Sequence, residues 1–171
     1  MTPIIIDNAL TEEASKEIQH HMLSTVFQWY YNDKVLPEPD QEFIEFIELY
    51  NFQFTHNFMR NGQVSSGWWN LILPLINKID AKDIIKVKAN LNPVADKITQ
   101  HGLHTDRVVC DTTAVYYVNT NNGMTVFEDG TAVASRANRL LIFDSSLRHT
   151  GTTCTDEKVR CVINLNYNRK I

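Results

Sequence analysis

The sequence predicts a mainly β protein with flanking N-terminal helices, its β part closed as a double-sheet jelly roll. Three observations carry this. Helical spacing of apolar residues is confined to the first half of the chain. From Ile84 onward, short alternating segments follow one another between turn signals. A run of helices followed by a run of strands favours one antiparallel unit with helices packed on its outside, and a double sheet manages the edges that many short strands create.

Ile4–Ile6 reads as a short strand. Thr11 is placed to cap a helix, with Glu12 and Glu13 in the first turn, where the helix dipole favours acids. Leu10, Ala14, Ile18 and Met22 recur at helical spacing, so the first helix should reach about Leu23. Alternation in 27–31 suggests a strand, Asn32 to Gln41 a loop carrying Pro37 and Pro39, and 42–50 a helix. A further strand is expected around Phe52, Phe54 and His56, and a turn at Asn61-Gly62. Trp68 to about Ile79 suggests an amphipathic helix that Pro74 kinks or restarts. Strands are then expected at 84–91, 112–119, 124–127, 131–134, 139–144 and 160–167. With no repeat and no linker, 1–171 reads as one domain: 1–83 as helical support and early strands, 84–168 as the jelly-roll core.

Composition narrows the function. The 171 residues are 43% hydrophobic and 21% charged, with a formal net charge of −4. An acidic chain with interspersed charges argues against a nucleic-acid-backbone binder; Lys82, Lys86 and Lys88 alternate with apolar residues and form no block. The three cysteines, Cys110, Cys154 and Cys161, form no CxxC pair and leave an odd number, which speaks for a reducing cytoplasm and against a disulfide scaffold. The start has no basic segment and only a brief apolar run, so neither a signal peptide nor a membrane span is expected.

The residues with the most chemistry lie between His101 and Arg160. In His104-Thr105-Asp106 an extended backbone would turn residues i and i+2 to one side, within reach of one ion. His149 follows just past an apolar strand. Two imidazoles and one carboxylate can take one face of a six-coordinate Fe(II) and leave the other open. Arg160 opens the last strand, where Arg160, Val162, Asn164 and Asn166 share a face and Cys161, Ile163, Leu165 and Tyr167 the other. Each feature has an ordinary reading: HxD arises by coincidence in a chain with six histidines and 20 acids, His149 could cap a turn, and the strand could be half exposed. His101 reads as a loop residue or a group supporting the ligands, and His20 and His21 as surface groups. His56 is either a buried, hydrogen-bonded histidine or part of a substrate wall. Arg148 would reach a substrate or a neighbouring acid, and Trp68 and Trp69 suit core packing.

Five stretches occur in order: His104-Thr105-Asp106, Thr113 to Asn119, Gly123 to Phe127, Arg139 to Phe143, and His149 to Arg160. In this the chain resembles the 2-oxoglutarate and iron(II)-dependent oxygenases, above all the prolyl-hydroxylase-like branch with its short phage and marine bacterial members. The resemblance covers about Ile84 to Tyr167 and implies a double-stranded β-helix of the jelly-roll, cupin-like kind. It implies that His104, Asp106 and His149 hold Fe(II), and that Arg160 pairs with the distal carboxylate of 2-oxoglutarate. Tyr117 would hydrogen-bond the same carboxylate, while Tyr116 faces the supporting layer. Asn90 and Asn92 are candidates to steady the cosubstrate. Asn166 falls where relatives can carry an aromatic, on the substrate side of the pocket. Arg148 and His56 are further substrate candidates.

The implied activity is a dioxygenase hydroxylating a C–H bond with O₂ and 2-oxoglutarate, releasing succinate and CO₂, with ascorbate as a possible stimulant. The expected substrate is a peptidyl residue, proline favoured; a free amino acid or small metabolite is the alternative. The non-catalytic alternative is a cupin-like binding module. Nucleic-acid dealkylation is disfavoured, because Asn166 stands where that branch has a second arginine, and halogenation because Asp106 is retained. Neither nucleic acid nor membrane is an expected partner, the cytoplasm (a host's, if phage-encoded) is the expected compartment, and the oligomeric state is open. Substrate choice is expected to lie in the loops at Tyr31 to Gln41 and Pro93 to Gly102.

Overall fold

The two faces of one long strand explain the architecture. In the computed structural model, which describes residues 2–35, 51–106 and 110–170, the last strand runs over Val159–Arg169 at the centre of the larger of two antiparallel sheets. In chain order the strands are β1 (Ile4–Ile6), β2 (Tyr30–Asn32), β3 (Gln53–Arg60), β4 (Gln63–Val64), β5 (Ala81–Pro93), β6 (Thr112–Tyr117), β7 (Met124–Phe127), β8 (Ala132–Ala134), β9 (Arg139–Asp144), β10 (His149–Gly151) and β11 (Val159–Arg169). The larger sheet has the order β1-β9-β6-β11-β5-β3-β2, with β4 paired to β3. The smaller has the order β10-β7-β8.

Period-two alternation splits β11 cleanly. Cys161, Ile163, Leu165 and Tyr167 join Ile18, Met22, Phe58, Ile72, Leu75 and Tyr116 in the core between the larger sheet and the helices. Arg160, Val162, Asn164 and Asn166 line a cavity between the two sheets. Strand β6 is covered on both faces: all six of its residues are buried. Val115 and Tyr117 pack with Phe127, Val133, Leu141, Phe143 and Val162 in a second core between the sheets. Tyr116 points the other way, and its hydroxyl donates to Ser15 Oγ at 3.0 Å.

The N-terminal helix α1 (Glu12–Met22) starts where its cap predicts: the Thr11 side chain accepts from the backbone N–H of Ala14. Downstream, the expected strand at 27–31 is confined to Tyr30–Asn32. Trp29 donates its indole N–H to Met22 O at the end of α1, and Phe27 is buried in the helix-side core, so this stretch serves packing before pairing begins. The expected helix at 68–79 is a 3₁₀ turn over Trp69–Ile72 followed by the short α2 (Leu73–Ile76). Pro74 has no N–H to give and so sits in the first turn of a restarted helix, where none is needed. Strand β5 outruns its expected bounds because β11 pairs with it from Ala81 to Pro93, while β3 pairs only with its middle. The expected helix at 42–50 lies outside the described residues. All three cysteines are buried and unpaired, and no described helix is long and apolar enough to cross a membrane.

Candidate metal centre and cosubstrate pocket

Backbone pairing brings the first two donor segments together. His104 and His149 exchange both N–H···O bonds, at 3.0 and 2.9 Å, in an isolated bridge that adds the HxD segment to the edge of β10. Directly opposed residues of such a pair project their side chains to the same face. The two imidazole centroids are 4.5 Å apart. Asp106 is anchored by its own N–H to Ser145 O at 3.0 Å, and its Oδ2 lies 3.9 Å from His149 Nε2.

Two of these side chains, His149 and Asp106, are oriented by hydrogen bonds to neighbours. His149 Nδ1 donates to Leu147 O at 3.0 Å, which leaves Nε2 as the ring's lone-pair nitrogen. Its ring rests against Phe143, centroids 4.6 Å apart. Burial, and then the adjacent His104, hold His149 below the ordinary imidazole value, so it stays neutral, the form a metal binds. Asp106 Oδ2 accepts from Thr113 Oγ1 at 2.9 Å and from Asn166 Nδ2 at 3.0 Å. Asn166 lines the cavity as expected, but its amide is committed to Asp106, so it positions a donor.

The opposite end of the cavity is built around Arg160, 3% exposed. Its Nε donates to Ser135 Oγ at 3.0 Å and its Nη2 to Thr125 Oγ1 at 3.3 Å. Among the described residues it has no acidic partner within ion-pair distance, and burial lowers its guanidinium from the ordinary value. A buried cation with only neutral partners is costly unless an anion joins it. Asn92 stands directly opposite Arg160 in the β5–β11 register, and Asn90 opposite Val162. Both line the cavity, and Asn92 Nδ2 and Asn90 Oδ1 are buried without a partner. Tyr117 is fully buried behind this end; its hydroxyl donates to Thr125 Oγ1 at 2.8 Å, and Thr125 is the residue that faces the cavity.

Two substrate candidates stand elsewhere. His56, offered as part of a substrate wall, donates from Nδ1 to Gln28 O and accepts at Nε2 from Ser66 Oγ, each at 2.7 Å, among Phe27 and Phe58. This corrects the wall reading: both ring nitrogens are satisfied in the helix-side layer. Arg148 pairs with Glu128 on the surface, its alternative reading, and does not line the cavity.

Sequence reasoning passed over three groups and read His101 as a loop residue or a support for the ligands. Thr113 shares a face with Val115 and Tyr117, so alternation along β6 could have put it beside Asn166. Thr125 and Ser135 gave no signal, because nothing local marks a hydroxyl that will meet a distant arginine. His101 is 5% exposed, lines the cavity, and has no partner at either ring nitrogen. Burial, then the charge of Arg160, lowers it to about 4, so it is neutral at physiological pH.

The cavity measures about 550 Å³. Among the described residues, no three His, Cys, Asp or Glu side chains already form a metal-holding group; His104, Asp106 and His149 adjoin without converging. The donor chemistry nonetheless suits a divalent ion. His149 has its tautomer set, Asp106 is held at one oxygen, and His104 Nδ1 is buried without a partner.

No protein-family model and no curated protein matches the chain. Solved structures do. An oxidoreductase of the 2OG-Fe(II) oxygenase family from Burkholderia pseudomallei is similar with TM-score 0.70 at 13% identity, over 98% of this chain and 85% of its own. A prolyl hydroxylase from Trichoplax adhaerens, in complex with a peptide fragment of the hypoxia-inducible factor oxygen degradation domain, gives 0.66 at 19% identity, over 96% and 82%. The viral collagen prolyl hydroxylase of Paramecium bursaria Chlorella virus-1, in its 2OG complex, gives 0.61 at 13% identity, over 97% and 95%. The chain therefore has the fold of the 2OG-Fe(II) oxygenases, the jelly roll its strand pattern predicts.

Proposed function

We propose that the protein is an Fe(II)- and 2-oxoglutarate-dependent dioxygenase that hydroxylates a C–H bond. The observation that carries this is the pairing, in one cavity, of a His-Asp-His donor set at one end with a buried arginine lacking an acidic partner among the described residues at the other. His104, Asp106 and His149 would hold the iron. Fe(II) and 2-oxoglutarate together supply the electrons that activate O₂, giving an alcohol, succinate and CO₂.

The chain's own residues do the placing. Arg160 offers its guanidinium to the distal carboxylate of the cosubstrate, and its hydrogen bonds to Ser135 and Thr125 aim it. Thr125, itself oriented by Tyr117, presents a hydroxyl at the same end. Asn92, Asn90 and His101 add buried polar atoms in need of partners, and a ligand satisfying them gains more than the same contacts would give in water. Leu147 O, Thr113 and Asn166 keep His149 and Asp106 in the orientation that donation requires.

The favoured substrate is a peptidyl residue, proline first, supported by the likeness to two prolyl hydroxylases, one of them peptide-bound. A free amino acid or small metabolite would also fit a cavity of about 550 Å³. A binding module without turnover is the second reading, favoured by the donors' failure to converge.

The test is succinate formation from 2-oxoglutarate by protein loaded anaerobically with Fe(II) and then exposed to O₂, with no substrate added, beside titration of 2-oxoglutarate binding. Succinate from the native chain that vanishes in Asp106→Ala and His149→Ala is the expected result. Binding of 2-oxoglutarate without succinate would favour the module, and absence of both would remove the oxygenase reading.

A further inference from the structure

We infer that the substrate carries a carboxylate, gripped by Lys88 on β5 with Lys86 beside it at the rim of the cavity. The inference rests on the oxygenase reading and goes on to name the substrate's chemistry.

Along β5 the cavity-facing side reads Lys86, Lys88, Asn90, Asn92. The register sets these against Asn166, Asn164, Val162 and Arg160 of β11. Arg160 and Asn92 therefore close one end, and the Asn166–Asp106 contact marks the other. Lys88 stands opposite Asn164, four residues from Arg160 along β11, about 13 Å at roughly 3.3 Å per residue. The carboxylate held by Arg160 does not also neutralise a cation that far away. The cavity thus carries cations apart from Arg160, namely Lys88 and Lys86 on β5 and Lys34 after β2, with Asp33 the one lining acid besides Asp106 among the described residues and in no ion pair with Lys88.

Lys88 is half-buried, and among the described residues neither it nor Lys86 has an ion-pair partner. Its neighbours in the β3 and β11 registers are Asn57 and Asn164, both neutral. Burial first, then the charges of Lys86 and Arg60, bring its ammonium down to about 8. A polar or apolar residue at 88 would fold at lower cost. A lysine there is explained by an anion that arrives with the substrate and restores the charge balance.

The test uses the full chain with Fe(II) and 2-oxoglutarate and matched acid and amide probes. These are L-proline with L-prolinamide, L-glutamate with L-glutamine, and capped proline tripeptides whose neighbouring residue is Glu or Gln. Binding is titrated and succinate measured. At least one acid is expected to bind about tenfold more tightly than its amide, in addition to 2-oxoglutarate and not in competition with it. The free pairs and the tripeptides tell a metabolite from a peptide as the source of the carboxylate. In Lys88→Gln the preference should fall to about unity, and in Lys88→Glu it should invert toward the amide, a reversal that misfolding cannot imitate.

Equal binding of acid and amide, no binding of any probe, a preference that survives Lys88→Gln, or acids that merely displace 2-oxoglutarate would each overturn the inference. Succinate without an acid preference would sink the inference and spare the oxygenase. An acid preference without succinate would do the opposite.

Discussion

A methyl group on Gly123 should disable the cosubstrate end of the cavity without touching the metal end. An ideal Cβ built there lies 2.5 Å from Arg160 Cδ, 2.8 Å from Asn121 Oδ1 and 2.8 Å from the backbone oxygen of Thr153. Ordinary carbon–carbon contact is about 3.5–4.0 Å, so Arg160 has to retreat by about 1 Å. Asn121 and Thr153 constrain two further directions, and overpacking of this kind costs about 1–3 kcal/mol. At roughly 2–4 °C per kcal/mol for a chain of this size, the midpoint of Gly123→Ala should fall by about 2–12 °C.

The informative readout is the half-saturating concentration of 2-oxoglutarate. A charge-assisted pair is worth about 1.5–3 kcal/mol, so pulling the guanidinium away should raise that concentration roughly 10- to 100-fold. Anaerobic Fe(II) binding should stay near the native value, because His104, Asp106 and His149 lie at the other end. Gly67→Ala is the control: nothing lies within 4 Å of its added Cβ. A lowered melting point with an unchanged demand for 2-oxoglutarate would refute the assignment of Arg160.

Three further outcomes follow from named contacts. Asn166→Leu removes the amide that bonds Asp106 Oδ2, so Fe(II) affinity should drop about 10- to 100-fold while 2-oxoglutarate binding to the metal-free protein is little changed; equal iron affinity would make Asn166 a bystander. Arg160→Lys keeps a charge but loses the fork toward Ser135 and Thr125, so half-saturation with 2-oxoglutarate should rise at least about tenfold, and an unchanged value would strip Arg160 of its role. His101 protonates near 4 in the folded protein and near 6.5 when unfolded, so the unfolded chain binds more protons between these values. Metal-free protein should therefore lose stability as pH falls from about 6.5 to about 4, and His101→Phe should flatten that limb. Identical slopes of urea midpoint against pH in the two proteins would count against a neutral, buried His101.

Legibility followed the range of the interactions. The division of β11 into a cavity face and a core face could be read from alternation alone, because a strand's period is a local property. The cap at Thr11 is equally local. The strand β10 was missed because three residues carry no periodicity; it exists through its pairing with β7 and the bridge to His104. His56 stayed open between a buried, hydrogen-bonded histidine and a substrate wall because alternation with Phe52 and Phe54 gives a face but not what that face meets; Gln28 and Ser66 decide for the first from outside the strand. Arg148 and Asn166 show the same limit in another form. Residue type announced a hydrogen-bonding group in each, but the partners, Glu128 and Asp106, lie 20 and 60 positions away.

The arrangement of polar groups along β11 and β5 also separates the tasks of the cavity. Arg160 and Asn92 are opposed at one end, where an arginine buried among hydroxyls is short of an anion. Asn166 stands at the other end, tied through Asp106 to the donor set. Between them, Val162 packs into the inter-sheet core with Tyr117 and Phe143, and Asn164 faces the cavity. The proposed cosubstrate, a short diacid, would reach from Arg160 toward this donor set. In the same register Lys88 and Lys86 stand opposite Asn164 and Asn166, toward the end of the cavity away from Arg160, where the proposed substrate would enter.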